Sequence, residues 1–199
     1  MRWERFFEDL EGQLDSEWEA ERAALDSEAE RLRLSRVALR ERIVPLVARG
    51  DCSTSLELSD GSVVTGRLSA VGAEWVALAV ESRDSRAIIV PIQGIVAIGL
   101  SHADVLGSAR DAMAGSALQQ RMTFAFALRD LARRRVPVTV RVVGGRSFVG
   151  TIDRAGADHL DLALHDADAP RRADGVTGHR ILALGAITWV RLEGAATLP

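Results

Sequence analysis

The chain has 199 residues, 47% of them hydrophobic, which is enough for one ordinary core or two small ones and excludes a disordered protein. The longest apolar runs have the length of strands and fall far short of the ~18 residues of a membrane helix, so no membrane partner is predicted. A net charge of −3, an N-terminus without an export signal and a lone Cys52 predict a cytoplasmic protein.

The first predicted element is a long amphipathic helix over residues 2–44, within an N-terminal helical segment at 1–50. Its apolar residues recur near one stripe. Pro45 is expected to end or kink the helix, because proline lacks the N–H of a helical hydrogen bond. Two capping-box patterns, beginning at Ser16 and Ser27, are compatible with an earlier break. One rod and two pieces therefore both remain open.

An internal repeat follows this helix. Residues 56–80 align with residues 140–164 without a gap, and the alignment matches three glycines in each copy. After a loop that is eight residues longer in the second copy, residues 91–98 align with residues 183–190. The sequence therefore predicts two copies of one folding unit.

Each copy is predicted to form five antiparallel strands. Alternating apolar residues indicate strands, the Asp60-Gly61 pair suits a tight hairpin, and Gly66 within the second strand suits a sharp bend. The predicted strands are 54–59, 62–71, 75–81, 86–92 and 95–100 in the first copy, and 137–143, 146–155, 159–165, 179–184 and 186–192 in the second.

The predicted fold class is α+β, mainly β, with two five-stranded antiparallel small barrels that are each preceded by a helix. The barrels are expected at 51–101 and 137–194. A linker and a helix at 102–136 separate them, with the helix at 116–135, and residues 195–199 form a tail.

Three features of the chain resemble the Sm-like (LSm) family of small barrels, which shares the bent strand and hairpin glycine with SH3-like barrels. They are the SDG of the first hairpin, Gly66 in the second strand, and VPIQGIVAI, which joins strands four and five. The resemblance covers most of the chain, twice. It implies rings in which strand four of one barrel pairs with strand five of the next, and recognition of single-stranded RNA by loop residues.

The loop positions that bind RNA in this family are changed here. Where the resemblance implies an aspartate and an asparagine after the second strand, the chain has Gly72 and Trp75, and in the second copy Gly156 and His159. The arginine implied for the last loop is replaced by Gln93 in the first copy and by a leucine in the second. Trp75 and His159 are interpreted either as rings that stack on a base or as rings that pack at the barrel mouth.

Arginine clusters supply a second possibility for nucleic-acid contact. Residues 1–30 hold eleven acidic side chains and three arginines, whereas residues 31–49 hold six arginines and one glutamate. The candidate phosphate-binding arginines are Arg33, Arg36, Arg40, Arg133, Arg134 and Arg135. The alternative is that these arginines only stabilise helix C-termini and solvated helix faces.

The N-terminal helix is the candidate surface for a protein partner or for self-association. Its apolar residues are more than an isolated helix normally leaves in water. They are Trp3, Phe6, Phe7, Leu10, Leu14 and Trp18. The alternative is that the helix packs across the chain's own barrels.

The histidines show no paired metal spacing, and neither a nucleophile motif nor a phosphate-binding loop occurs, so no catalytic site, metal, cofactor or small-molecule substrate is predicted. The sequence predicts a non-catalytic regulatory or adaptor protein. Contact with single-stranded nucleic acid, RNA in preference to DNA, ranks narrowly ahead of a protein scaffold that uses the N-terminal helix and the barrel edges.

Overall fold

The structure, a computed structural model, describes residues 2–80, 86–110, 120–166 and 175–193, except for the side chains of residues 2–11, 15 and 86. Its α-helices in these ranges are α1 (Arg2–Arg36), α2 (Leu39–Arg49), α3 (His102–Ser108) and α4 (Phe124–Arg134). The first five strands are β1 (Ser53–Leu58), β2 (Val63–Val71), β3 (Trp75–Val80), β4 (Arg86–Pro91) and β5 (Ile95–Gly99). The next five are β6 (Pro137–Val142), β7 (Ser147–Ala155), β8 (His159–Leu164), β9 (Gly178–Ala183) and β10 (Ile187–Leu192). The prediction of an α+β chain is confirmed.

The ten strands form one antiparallel sheet in the order β5-β1-β2-β3-β4-β10-β6-β7-β8-β9. This order contains the same arrangement twice, which we call repeat one (α2 with β1–β5) and repeat two (α4 with β6–β10). All ten predicted strands are present, and their ends agree with the prediction to within one residue. The two halves are joined into one sheet because β4 pairs with β10.

The strands pair in the same register in both repeats. Leu56 pairs with Ile98 in repeat one, and the equivalent Val140 pairs with Val190 in repeat two. Bulges also recur at equivalent places, between the second and third strands and between the first and fifth strands of each repeat. A bulge bends a strand and increases its twist, so the shared bulges give both repeats the same curvature.

Gly66 lies where β2 crosses closest to β3. A Cβ atom at this position would lie 2.7 Å from the carbonyl oxygen of Ala79, and one on the equivalent Gly150 would meet the carbonyl of Ala163. No side chain fits at such a distance, so glycine is needed for the close approach of the two strands.

The N-terminal helical segment consists of two helices. The break between α1 and α2 falls at Val37 and Ala38, so neither Pro45 nor the capping patterns at Ser16 and Ser27 end a helix. Of the two outcomes expected at Pro45, an end or a kink, the end is wrong, because Pro45 lies inside α2, which continues to Arg49. Tertiary packing decides this, since α2 buries Ile43 and Leu46 in the core of repeat one.

The helix predicted at 116–135 is interrupted at Met122 and Thr123. Residues 116–119 lie outside the described ranges, residues 120 and 121 are helical, and α4 begins after Thr123, whose hydroxyl accepts a hydrogen bond from the Phe126 amide at 3.2 Å. Met122 continues the apolar stripe in sequence, but its backbone carbonyl accepts a hydrogen bond from the indole of Trp75. The linker also contains a helix that the sequence did not predict, α3, which Ser101 caps through the amide of Asp104.

The chain divides into two compact units, Met1–Ala38 and Leu39–Pro199. The predicted boundary at residue 50 is therefore displaced, because α2 packs on β2 and α3 and belongs to the unit that contains the sheet. Within that unit, two hydrophobic clusters form the core.

A tryptophan from each repeat packs against the core of the other repeat. Trp75 of repeat one is buried in the cluster that consists mainly of repeat-two residues, together with Ala77 and Ile89. Trp189 of repeat two packs against the cluster of repeat one. Each repeat therefore completes the core of the other.

Candidate functional site at the repeat junction and the sheet edges

Trp75 is part of the core. Its side chain is 2% exposed, and its indole Nε1 donates a hydrogen bond to the Met122 carbonyl at 2.9 Å. Gly72 lies directly against the ring, since a Cβ there would collide with the indole and with the same carbonyl. Of the two interpretations of Trp75, packing fits this geometry, and stacking on a base does not.

His159 occupies the equivalent position in repeat two and is exposed. Its Nδ1 lies 2.7 Å from the carboxylate of Asp158, and the hydrogen bond from His159 lowers the pKa of that carboxyl below its ordinary value. The ring lies beside Gly156, where a Cβ would come within 2.8 Å of it. About half of the side chain is exposed (51%), and the stacking interpretation of His159 remains a prediction.

A cleft of about 390 Å³ lies between the two repeats. Its polar lining comes from Arg40, Glu74 and Gln93, and its apolar lining includes Phe124 and Leu184. Two residues that the sequence singled out for separate reasons, Arg40 and Gln93, therefore meet at one site.

Two hydrogen bonds hold the polar side of the cleft. The Arg40 Nε donates to the Gly72 carbonyl at 2.7 Å, and its buried Nη2 has no hydrogen-bond partner among the described residues. The carboxylate of Glu74 accepts from the Phe124 amide at 3.0 Å and so connects repeat one to the first turn of α4. Arg40 is thus both a structural donor and a cation with an unused N–H group.

The arginines at the end of α4 are paired with an acid. Asp130 accepts from Arg133 at 2.7 Å and from Arg134 at 3.2 Å. Burial raises the pKa of Asp130, but these hydrogen bonds outweigh it, and the net pKa lies below the ordinary value. The carboxylate therefore stays charged at neutral pH and offsets one of the three positive charges of the cluster.

Arg135 ends α4 in the left-handed conformation, with φ of 53°. Its side chain lines an open depression of about 490 Å³ together with Asp153 and Asp161 as well as further basic residues. Because both signs of charge face this depression, it lacks the uniform positive potential that binds a polyanion.

Arg33 and Arg36 belong to the other unit, at the end of α1. Arg33 makes a two-pronged contact with Glu30, with distances of 2.7 Å and 2.8 Å, and the same hydrogen bond lowers the pKa of Glu30. Arg36 is exposed in the last turn. The single phosphate-binding face predicted from all six arginines is thus divided between two units.

Of the predicted partner-binding residues on α1, four have side chains outside the described part of the structure, namely Trp3, Phe6, Phe7 and Leu10. The described ones are exposed, and further exposed leucines continue the same row. This row, the α1 stripe, consists of Leu14, Trp18, Leu25 and Leu32.

The two edges of the sheet are β5 and β9, each of which has one neighbour among the described strands. Both edges expose a large apolar side chain, Val96 on β5 and Ile181 on β9. Beside β5, a mostly apolar groove of about 240 Å³ lies between that strand, α2 and α3.

No family model matches this chain, and no curated protein matches its sequence. Within the described residues, no three His, Cys, Asp or Glu side chains are grouped as metal ligands. No described helix has the length and hydropathy of a membrane span.

Two features of the junction are not evident from the sequence. One is the pairing of β4 with β10, which the apolar Ile88 and Ile89 on β4 favour. The other is the ion pair between Asp60 and Arg141, at 2.8 Å, which joins the first hairpin of repeat one to β6. Asp60 is typical of a turn residue by sequence, so nothing in its local pattern indicates a partner 81 positions away.

Proposed function

We propose that this protein is a non-catalytic assembly module whose two repeats are Sm-like small barrels that join further copies through the sheet edges. In this proposal, β5 of one chain pairs with β9 of the next. The observation that carries it is the internal junction, where β4 of repeat one already pairs with β10 of repeat two.

The barrel interpretation of each repeat is supported by its strand order and curvature. Within each repeat, the fifth strand lies beside the first and the fourth beside the third, so the fourth and fifth strands are the two outer strands of the repeat. The shared bulges and the close approach at Gly66 and Gly150 are the features that curve a short sheet towards closure.

Burial at equivalent positions supports the edge pairing. On the fourth strands, Ile89 is 0% exposed at the junction, whereas the equivalent Ile181 on the β9 edge is 74% exposed. On the fifth strands, Thr188 is 0% exposed at the junction, whereas the equivalent Val96 on the β5 edge is 68% exposed. The positions that bury each other where β4 meets β10 are therefore exposed on their equivalents at the β9 and β5 edges.

The internal register predicts which residues would meet between chains. Inside the chain, Val190 pairs with Ile89, and Arg191 with Ile88. The equivalent pairs between chains are Ile98 with Ile181, and Gly99 with Arg180. The apolar pair is retained, while the arginine moves from the fifth strand to the fourth, opposite a glycine.

The test is association of single-edge variants, measured as mass by light scattering after size exclusion. Val96→Arg blocks the β5 edge and Ile181→Arg blocks the β9 edge, because charged side chains prevent edge pairing. To keep the α1 stripe out of the measurement, every chain also carries Leu25→Glu.

Chains with both edges intact are expected to form assemblies larger than a dimer, and each single-edge variant alone is expected to be monomeric. An equimolar mixture of the two variants is expected to form a dimer, because one intact β5 and one intact β9 remain. Val63→Arg, at an exposed position of the interior strand β2, is the matched control and should assemble normally. Monomers at every concentration with both edges intact would refute the proposal.

Contact with single-stranded RNA is a second candidate, favoured by the junction cleft, where Arg40 has a buried N–H group without a partner and Gln93 is exposed. The test is binding of RNA and DNA oligonucleotides across a salt titration. Gln93→Ala should weaken binding at this cleft, and joint replacement of Arg133, Arg134 and Arg135 by alanine should reduce the salt dependence. Absence of binding at low salt would exclude this candidate.

A further inference from the structure

We propose that α1 pairs with the α1 of a second chain, in antiparallel orientation and with the two Leu25 side chains at the centre. This interface is separate from the sheet edges and does not rest on the function proposed above. The inference comes from two properties of the described part of α1, its exposed apolar row and the separation of its charges.

The apolar row has a spacing that suits helix pairing. Trp18, Leu25 and Leu32 follow one another at intervals of seven residues, and all three are exposed. Residues seven positions apart lie on the same side of a helix, so these three side chains can contact one partner helix. A helix that leaves such a row in water is normally covered by another apolar surface.

Charge identifies the partner and its direction. Before Leu25 the described side chains include Glu17, Glu19 and Glu21, whereas Arg31 and Arg33 lie in the last turns. A second α1 in parallel orientation would bring like charges together along its whole length. Reversed, the second helix brings the acidic part of each α1 beside the basic end of the other, and charges flanking such a seam set its orientation.

Centring the antiparallel pair on Leu25 matches the individual residues. Positions equally far from Leu25 then face each other, so Trp18 lies opposite the second chain's Leu32. In the same register, Glu17 lies on the same side of the seam as the second chain's Arg31, and Glu19 on the same side as its Arg33, each pair about half a turn apart along the axis. One register therefore aligns the apolar row and pairs the opposite charges, and because the interface is two-fold symmetric it joins two chains and then closes.

Orientation can be tested by disulfide trapping in the full chain. Cys52, which is buried, is replaced by alanine, and Val96→Arg blocks assembly through the β5 edge. Leu25→Cys should cross-link with itself. Leu14→Cys and Arg36→Cys, at the two ends of the row, should each fail to cross-link alone and should cross-link to each other when mixed.

Two results would overturn the proposal. Self-cross-linking of Leu14→Cys without any mixed product would show a parallel pair. A lack of cross-linking by all three cysteine variants, with circular dichroism confirming the helix, would show that α1 does not pair with itself.

Charge reversal supplies a second test that leaves the apolar row intact. Glu17→Arg together with Glu19→Arg should weaken dimerisation at least about tenfold, because these arginines would lie beside the second chain's Arg31 and Arg33. Adding Arg31→Glu and Arg33→Glu to the same chain should restore the affinity. Failure of the fourfold variant to recover would contradict the predicted register, since its total charge equals that of the original chain.

Discussion

Asp60 connects the first hairpin of repeat one to repeat two. Its carboxylate is buried and accepts hydrogen bonds from the Ser62 amide and hydroxyl, at 3.0 Å and 2.6 Å, as well as from Arg141 at 2.8 Å. Burial raises the pKa of Asp60, but the hydrogen bonds from Ser62 and Arg141 outweigh it, and the net pKa is lowered. The charged carboxylate is therefore the form that the fold stabilises.

Asp60→Asn is expected to lower the free energy of unfolding by about 1–3 kcal/mol at neutral pH, because it leaves Arg141 without a charged partner. Because the folded pKa of Asp60 is depressed, its contribution is present above the unfolded pKa and disappears as the pH falls through the folded pKa. The difference between the original chain and the variant should therefore stay constant from neutral pH down to about pH 4 and narrow below it in urea titrations.

The exposed pair of Asp51 and Arg49, at 3.5 Å, is the matched control for this measurement. Asp51→Asn should change the free energy of unfolding by less than about 0.5 kcal/mol, because solvent screens exposed ion pairs. An equal cost for Asp51→Asn and Asp60→Asn would mean that burial adds nothing to the Asp60 interaction.

At the scale of single elements, β2 and β7 depend on a glycine at the same position. The carbonyl oxygen of Ala79 is part of the backbone and cannot rotate away from a Cβ atom at Gly66. The neighbouring strand would have to move, and this movement would spread to the bulge that follows at Leu68. Gly66 is therefore needed for the curvature of the repeat as well as for the local pairing of β2 with β3.

Gly66→Ala is expected to destabilise the chain by about 1–3 kcal/mol, the usual cost of overpacking a well-packed interior. The control is Gly185→Ala, because a Cβ at Gly185 has no atom within 4 Å. Thermal denaturation should show a lower midpoint for Gly66→Ala and an unchanged midpoint for Gly185→Ala. Equal midpoints for the two variants would contradict the role assigned to the close approach.

At the scale of the whole molecule, residues 39–193 contain two repeats but not two independent cores. The pairing of β4 with β10 continues one sheet through both repeats, and each repeat receives a tryptophan from the other. Losing the fold of one repeat would expose apolar surface in the other. The repeats should therefore unfold together.

The test is equilibrium unfolding followed by tryptophan fluorescence in two variants that each retain one core tryptophan, Trp75 or Trp189, with the remaining three replaced by phenylalanine. The two transitions are expected to coincide in denaturant concentration. Ile89→Ala, at the junction, should lower the free energy of unfolding by about 2–4 kcal/mol and shift both transitions together. Separate midpoints would instead indicate two domains that fold independently.

Local sequence determined most of the elements of this protein. All ten strands could be located, because alternating side chains, turn residues and the internal alignment give the same boundaries, and none of these signals requires knowledge of which residues are in contact. The α1 stripe was likewise visible from its spacing. The arginines were found as well, but the pairing of Arg33 with Glu30, and of two arginines of α4 with Asp130, depends on side-chain geometry, which composition does not contain.

Only the tertiary structure decided how these elements are joined. The helix break at Val37 and Ala38 instead of Pro45, the burial of Trp75 and the pairing of β4 with β10 all depend on residues far apart in the chain. The hydrogen-bonding groups of a strand edge can pair with any compatible strand, and an apolar ring can pack into any compatible cavity. The local sequence pattern therefore does not specify which distant residues will be the partner. The sequence therefore determined two similar repeats, and packing between distant residues determined that they share one sheet and exchange parts of their cores.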